Sequence, residues 1–355
     1  MNALRFTRFA AALVVALSVT AARAVTIDWV TVGDPGNAAD TAPAGYGAVA
    51  ASFQIMKYEF TNQQYVDFLN AVDPNGDNPN SIYSGFMSSN DHGGISFTSG
   101  AAAGSKYASK TDMASKPVNF VSWFDAARVS NWLMNGATSS SSTETGAYTL
   151  NNATSGTAPA VNPGATFYIP TEDQWYKAAY YKGGSTSADY WDYATQSDTA
   201  PTAVTADLTG IGSAGSAGNY ANYNQAADWN GQDGNVTTVG TNGGPSAYGA
   251  FDMSGNVFEW NDLTGAAGSS RGHRGGSWFG DASQLSSTLR ITGDPLNERP
   301  SLGFRLASSL GGPSGVPEID PAGLGSVLAL VTGALGLLER RRIGRRGDRR
   351  AANRL

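Results

Sequence analysis

Three helix starts are written into this chain, and long stretches without helical periodicity separate them. Thr61 with Gln64, Ser122 with Asp125 and Thr171 with Gln174 each place a hydroxyl three residues ahead of a side chain able to reach back to the cap. Tyr65, Phe68, Leu69 and Val72 then recur at helical spacing, and Val129, Trp132 and Leu133 do the same before Gly136. Behind Thr171 come Trp175 and Ala178 or Ala179. Residues 53–60 alternate and predict a strand feeding the first helix. With 44 glycines in 355 residues, the remainder reads as short strands joined by Gly and Asn turns. The expectation is an α+β fold with a large irregular fraction. Residues 138–145 and 211–218 carry no apolar periodicity to bury and predict surface insertions.

The two ends differ from this body. Residues 1–24 place Arg5 and Arg8 before an apolar run and finish Ala22-Arg23-Ala24, the pattern of a secretory signal peptide. Residues 309–320 read as a linker, residues 321–338 as a marginal transmembrane helix and residues 339–355 as a basic cytoplasmic tail. A core helix is the alternative for 321–338, but the linker and trailing arginines give such a helix no use. Pro317-Glu318, an apolar helix and a basic tail resemble the PEP-CTERM sorting signal, although the segment reads Val-Pro-Glu-Ile and not Pro-Glu-Pro. That resemblance implies export through the inner membrane of a Gram-negative bacterium and processing by an exosortase. The inner-membrane anchor would then give way to a place on the cell surface or in the extracellular matrix.

Of 23 basic residues, 3 lie in the leader and 8 in the tail, against 2 of 29 acidic ones, so the stretch between carries a charge near −15. Such a body repels phosphate backbones, which argues against nucleic acid, and suits divalent cations. An exported chain with no cysteine has no disulfide framework either.

Six ordered segments carry a resemblance. Residues 53–69 (FQIMKYEFTNQQYVDFL), 117–126 (PVNFVSWFDA), 168–179 (YIPTEDQWYKAA), 248–260 (YGAFDMSGNVFEW), 274–278 (RGGSW) and 290–307, with Gly303-Phe304-Arg305, resemble the signature blocks of the formylglycine-generating enzyme, or sulfatase-modifying factor, family. The resemblance spans residues 25–308 and implies an elaborated C-type-lectin-like fold. Trp123, Trp175, Trp260 and Trp278 then read as core anchors, and Gly255, Gly275 and Gly276 as turn residues.

The same resemblance implies an oxidation of sulfatase cysteines by two cysteines that bind copper. Here Gly280 and Leu285 stand at those two positions, so neither copper nor that chemistry is expected. Iron-dependent relatives need a histidine cluster, whereas this chain has only His92 and His273, each read as a surface or turn residue. A Ser-His-Asp set from Ser269 or Ser270, His273 and Asp281 is formally available but lacks a nucleophile elbow.

Two structural calcium sites are implied by the family. Asp252, the carbonyls of Gly255 and Val257, and Glu259 match one; Asn222, the carbonyl of Tyr223, Asp233 and the carbonyl of Asn235 match the other. The alternative for Asp252 and Glu259 is turn capping, or pairing with Arg274 or Arg305. Two functions stay open: a non-catalytic surface protein binding a glycan, peptide or matrix component, and a cysteine-independent tailoring enzyme using acids such as Glu259 or Asp281. A purely structural matrix role is a third.

Overall fold

Each long helix begins at the residue the sequence marks. In the computed structural model, which describes residues 25–42 and 45–310, the Thr61, Ser122 and Thr171 side chains each accept from the backbone N–H three residues on, and the reciprocal bond is made every time. The predicted leader, most of the linker, the apolar 321–338 segment and the basic tail lie outside the described residues. Among the described residues no helix is long and apolar enough to cross a membrane.

In chain order the elements are β1 (Trp29–Val32), β2 (Phe53–Met56), α1 (Asn62–Val72), α2 (Phe86–Ser89), β3 (Ile95–Phe97), β4 (Tyr107–Ser109), α3 (Trp123–Met134), β5 (Phe167–Tyr168) and α4 (Glu172–Tyr180). There follow β6 (Thr202–Ala203), β7 (Tyr220–Ala221), β8 (Phe258–Asn261), β9 (Arg271–Arg274), β10 (Ile291–Gly293), β11 (Leu302–Gly303) and β12 (Ala307–Ser309). Two four-stranded sheets organise them, with orders β1-β2-β12-β5 and β10-β9-β8-β11. The first is antiparallel throughout; in the second only the β8–β11 pair is parallel.

The main apolar core lies between α1, α3 and these sheets. Tyr65, Phe68 and Leu69 of α1 are fully buried, and Phe68 meets Trp132 of α3 edge to face at 5.3 Å. Residues 123–133 of α3 are buried on every side rather than along one stripe, so this helix runs through the core instead of lying on it. Trp123, Trp175, Trp260 and Trp278 are all buried, as expected of anchors. A second apolar cluster packs α4 against Val32, Phe53 and Ile55.

The expected strand over 53–60 stops at Met56. The physical reason is Glu59, fully buried and turned toward Asn256 and Val257, which removes this stretch from the sheet ladder. The insertion at 138–145 is exposed for most of its length, yet Glu144 within it pairs at 2.8 Å with the buried Arg128.

Candidate functional site

Behind β8 the interior turns from hydrocarbon to charge. Arg305 follows β11 and is completely buried; its Nε and Nη2 donate to the two Glu259 oxygens at 2.6 and 2.7 Å. Its remaining protons go to the carbonyls of Phe251 (2.7 Å) and Met56 (3.1 Å). Trp175 of α4 adds an indole N–H to Glu259 at 2.8 Å. Of the alternatives left open for Glu259, the fold thus makes the pairing with Arg305, while Arg274 pairs with Glu172.

Two more carboxylates share this guanidinium. Asp252, in the left-handed region at φ 59°, accepts from the Gly240 N–H (2.5 Å) and from Asn242 Nδ2 (2.8 Å). Glu59 accepts from Asn256 Nδ2 at 2.7 Å and from the Val257 N–H at 3.2 Å. Burial, reinforced by the charges of Asp252 and Glu259, pushes the Glu59 carboxyl well above the usual carboxylate range despite Arg305. Burial also raises Asp252, against the two hydrogen bonds that lower it. Three interior carboxylates therefore face one interior cation.

The second predicted set continues the same network. Asn222 Nδ2 is surrounded by acceptors: the Asn235 carbonyl (2.8 Å), Thr237 Oγ1 (3.0 Å) and Asn256 Oδ1 (3.2 Å). Those acceptors fix the orientation of the amide and leave Asn222 Oδ1 buried without a donor. Gly255 has φ +90° and a Cβ there would lie 2.4 Å from the Asn222 carbonyl oxygen, so no other residue fits that turn. Tyr223 donates its hydroxyl to the Pro201 carbonyl, and Asp233 is exposed on the loop. A narrow cleft of about 10 Å³, room for one water-sized species, opens between Asn242, Asp252, Ser254 and Thr195. Among the described residues no three His, Asp or Glu side chains converge on a metal position; the predicted sets rely on amide and backbone oxygens instead.

Sequence reasoning missed Glu59, Thr237, Asn242 and Asn256. Only Glu59 left a trace, as a charge interrupting an alternating run just ahead of a helix cap.

At the two cysteine positions the space is filled. A Cβ on Gly280 would lie 1.9 Å from Gln284 Oε1, and the Gly280 carbonyl accepts from the Asn224 N–H at 2.7 Å. Leu285 is fully buried. Asp281 is exposed and caps a 3-10 turn over Ala282–Leu285, its pKa lowered by its hydrogen bonds from Ser283.

His92 lies half-buried in a turn, as the sequence suggests, whereas His273 is not a surface or turn residue. His92 stacks on Trp278 at 4.4 Å with Nε2 3.2 Å from the Gly234 carbonyl, because the flat ring completes an aromatic contact there. His273 sits inside β9, edge-on to Phe258 and Trp260, and burial lowers its pKa to about 4. Its Nδ1 is buried without a hydrogen-bond partner, so it is not joined to Ser269, Ser270 or Asp281 as a triad.

The profile of the "Sulfatase-modifying factor enzyme 1-like domain" matches residues 24–310. The chain belongs to the sulfatase-modifying factor family. Its fold is the formylglycine-generating-enzyme fold, with short strands, few helices and much irregular structure. Among solved structures it is similar to that described as "Crystal Structure of CarF", at 21% identity over 80% of this chain and 98% of that one, with a TM-score of 0.47. It is also similar to PvdO from Pseudomonas aeruginosa, at 18% identity, 80% and 92% coverage and a TM-score of 0.39. Treponema denticola variable protein 1 matches at 21% identity, 73% and 85% coverage and a TM-score of 0.39. No curated protein is similar enough to match. This sulfatase-modifying factor domain contains no cysteine.

Proposed function

We propose that this sulfatase-modifying factor domain is a non-catalytic binding or matrix module of an exported, surface-sorted protein, with calcium pinning its irregular loops. The observation that carries the first part is the pair Gly280 and Leu285. Neither side chain has a thiolate to hold copper or relay an electron, and the Gln284 side chain lies where a Cβ at Gly280 would go. The acids that a tailoring enzyme would need are not paired: Glu259 is spent on Arg305 and Trp175, and Asp281 caps an exposed turn. Surface sorting rests on the leader and on the PEP-CTERM-like tail, with an exosortase-type enzyme as the processing partner and a glycan, peptide or matrix component as ligand.

Two features support calcium. The excess of three buried carboxylates over one guanidinium calls for positive charge beside Asp252; of the expected set Glu259 gives both oxygens to Arg305, so Asp252 and the carbonyls of Gly255 and Val257 would carry the ion. The orphaned Asn222 Oδ1 calls for an electropositive partner, with Tyr223, Asp233 and Asn235 supplying the rest of the second set. When bound, the ion would supply charge compensation and loop restraint rather than chemistry.

Co-expression with a sulfatase is the test of the first claim, and unmodified sulfatase cysteine is the expected result; formylglycine in the product would overturn it. For calcium, EGTA lowers the melting temperature of the wild-type chain, and Asp252→Asn abolishes that response. A melting curve indifferent to EGTA would sink the ion.

A further inference from the structure

A second opening lies away from the acidic interior. It has a volume of about 410 Å³, within the range of small-ligand sites, and its lining includes Asn78, Tyr83, Phe86, Glu298 and three serines, Ser81, Ser84 and Ser89. The α2 helix and the loop before it supply one wall, and the segment between β10 and β11 supplies Glu298. Phe86 is 59% exposed although it stacks on Phe120 at 5.8 Å, so a large aromatic surface is held in place and left open.

The donors and acceptors of this pocket are unequal. The Asn78 amide is already used at both ends: Nδ2 donates to the Tyr83 carbonyl and Oδ1 accepts from the Tyr83 N–H, each at 2.9 Å. Tyr83 sends its hydroxyl to the Ile95 carbonyl. Ser84 is engaged with Glu298, whose carboxyl is partly desolvated and accordingly raised in pKa. Glu298 has no ion-pair partner among the described residues, and no Lys or Arg lines the opening. The pocket thus offers a carboxylate, three serine hydroxyls and an aromatic ring, with no cationic side chain in its lining. An ammonium has only donors to give, and an electron-rich ring and a carboxylate are what it seeks.

We propose that the pocket between α2 and Glu298 binds an organic cation of the alkylammonium class, with Glu298 as counter-ion and Phe86 as the aromatic wall. Free polyamines and the lysine side chains of another protein share this chemistry. The site gives a ligand class to the binding role proposed above and rests on that reading, but it uses none of the residues assigned to calcium.

Titration calorimetry of the full chain with 1,6-diaminohexane and with Nα-acetyl-lysine amide tests it. Saturable one-to-one binding is expected, about tenfold weaker in Glu298→Gln and several-fold weaker in Phe86→Ala. Asp189→Asn, which removes a carboxylate 78% exposed elsewhere on the surface, leaves it unchanged. Tighter binding of the lysine amide assigns the site to a protein partner and tighter binding of the diamine to a free polyamine; both support it. Equal affinity for hexane-1,6-diol, or equal affinity in both pocket variants and wild type, overturns it. So does saturable binding of a methyl hexoside without the amines. Absence of amine binding in a chain whose melt still responds to EGTA overturns this ligand alone and leaves the binding-module reading standing.

Discussion

Phe68 and Trp132 meet edge to face in an interior dominated by hydrocarbon, whereas a short way off, past Tyr65, Phe60 and Phe304, Arg305, Glu259, Glu59 and Asp252 fill an equally dry interior with charge. The first region gains from burial itself, about 1.5–3 kcal/mol for each large apolar side chain. The second gains only from completeness, because each buried charge must be answered by a partner. One is tolerant of small changes in shape and the other is intolerant of a missing group.

Arg305→Met should break this contrast most sharply. It leaves three carboxylates without their shared cation and costs about 3–5 kcal/mol, read as a lowered urea midpoint; Arg305→Met with Glu259→Gln should cost less than the sum of the two. Leu69→Ala in the apolar region should cost about 2–5 kcal/mol, and its effect should be indifferent to calcium and pH.

Titration separates the regions further. The folded chain holds a proton on Glu59 that the unfolded chain loses from about pH 4.5 upward, so in chelator stability falls as pH rises through the raised Glu59 value. Asp125, at the cap of α3 on the apolar side and raised to about 7 by burial and by the charge of Glu298, adds a slope of the same sign between pH 3.8 and 7 that neither Glu59→Gln nor calcium removes. Urea melts across pH 5 to 8 should show that Glu59→Gln removes part of the slope and that added calcium flattens the same part. The smallest effect belongs to Thr61→Ala, which loses one reciprocal cap at about 1 kcal/mol, measurable by the same melts.

The apolar region was legible because its rules are local. A hydroxyl and a Gln three residues apart, followed by Tyr65, Phe68 and Leu69, are enough to place α1. The charged region was legible only in its ligand candidates, since Asp252, Glu259, Asn222 and Asn235 lie in two adjoining segments. Asn256 reaches Glu59 across 197 residues, and no periodicity announces such a bond. The strand expected over residues 53–60 failed for the same reason: Glu59 answers to a distant amide rather than to its neighbours. Gly280 and Leu285, by contrast, stated their loss of chemistry by identity alone.

The order of the first sheet sets a timetable for biogenesis. β12, residues 307–309, is the seam between β2 and β5, and Arg305 just before it closes the buried charges laid down from residue 59 onward. A chain emerging amino terminus first reaches these pieces last, so neither the sheet nor the ion pair can lock until nearly the entire body has been delivered. Completion of the fold and arrival of the carboxyl-terminal segment are thereby made nearly simultaneous.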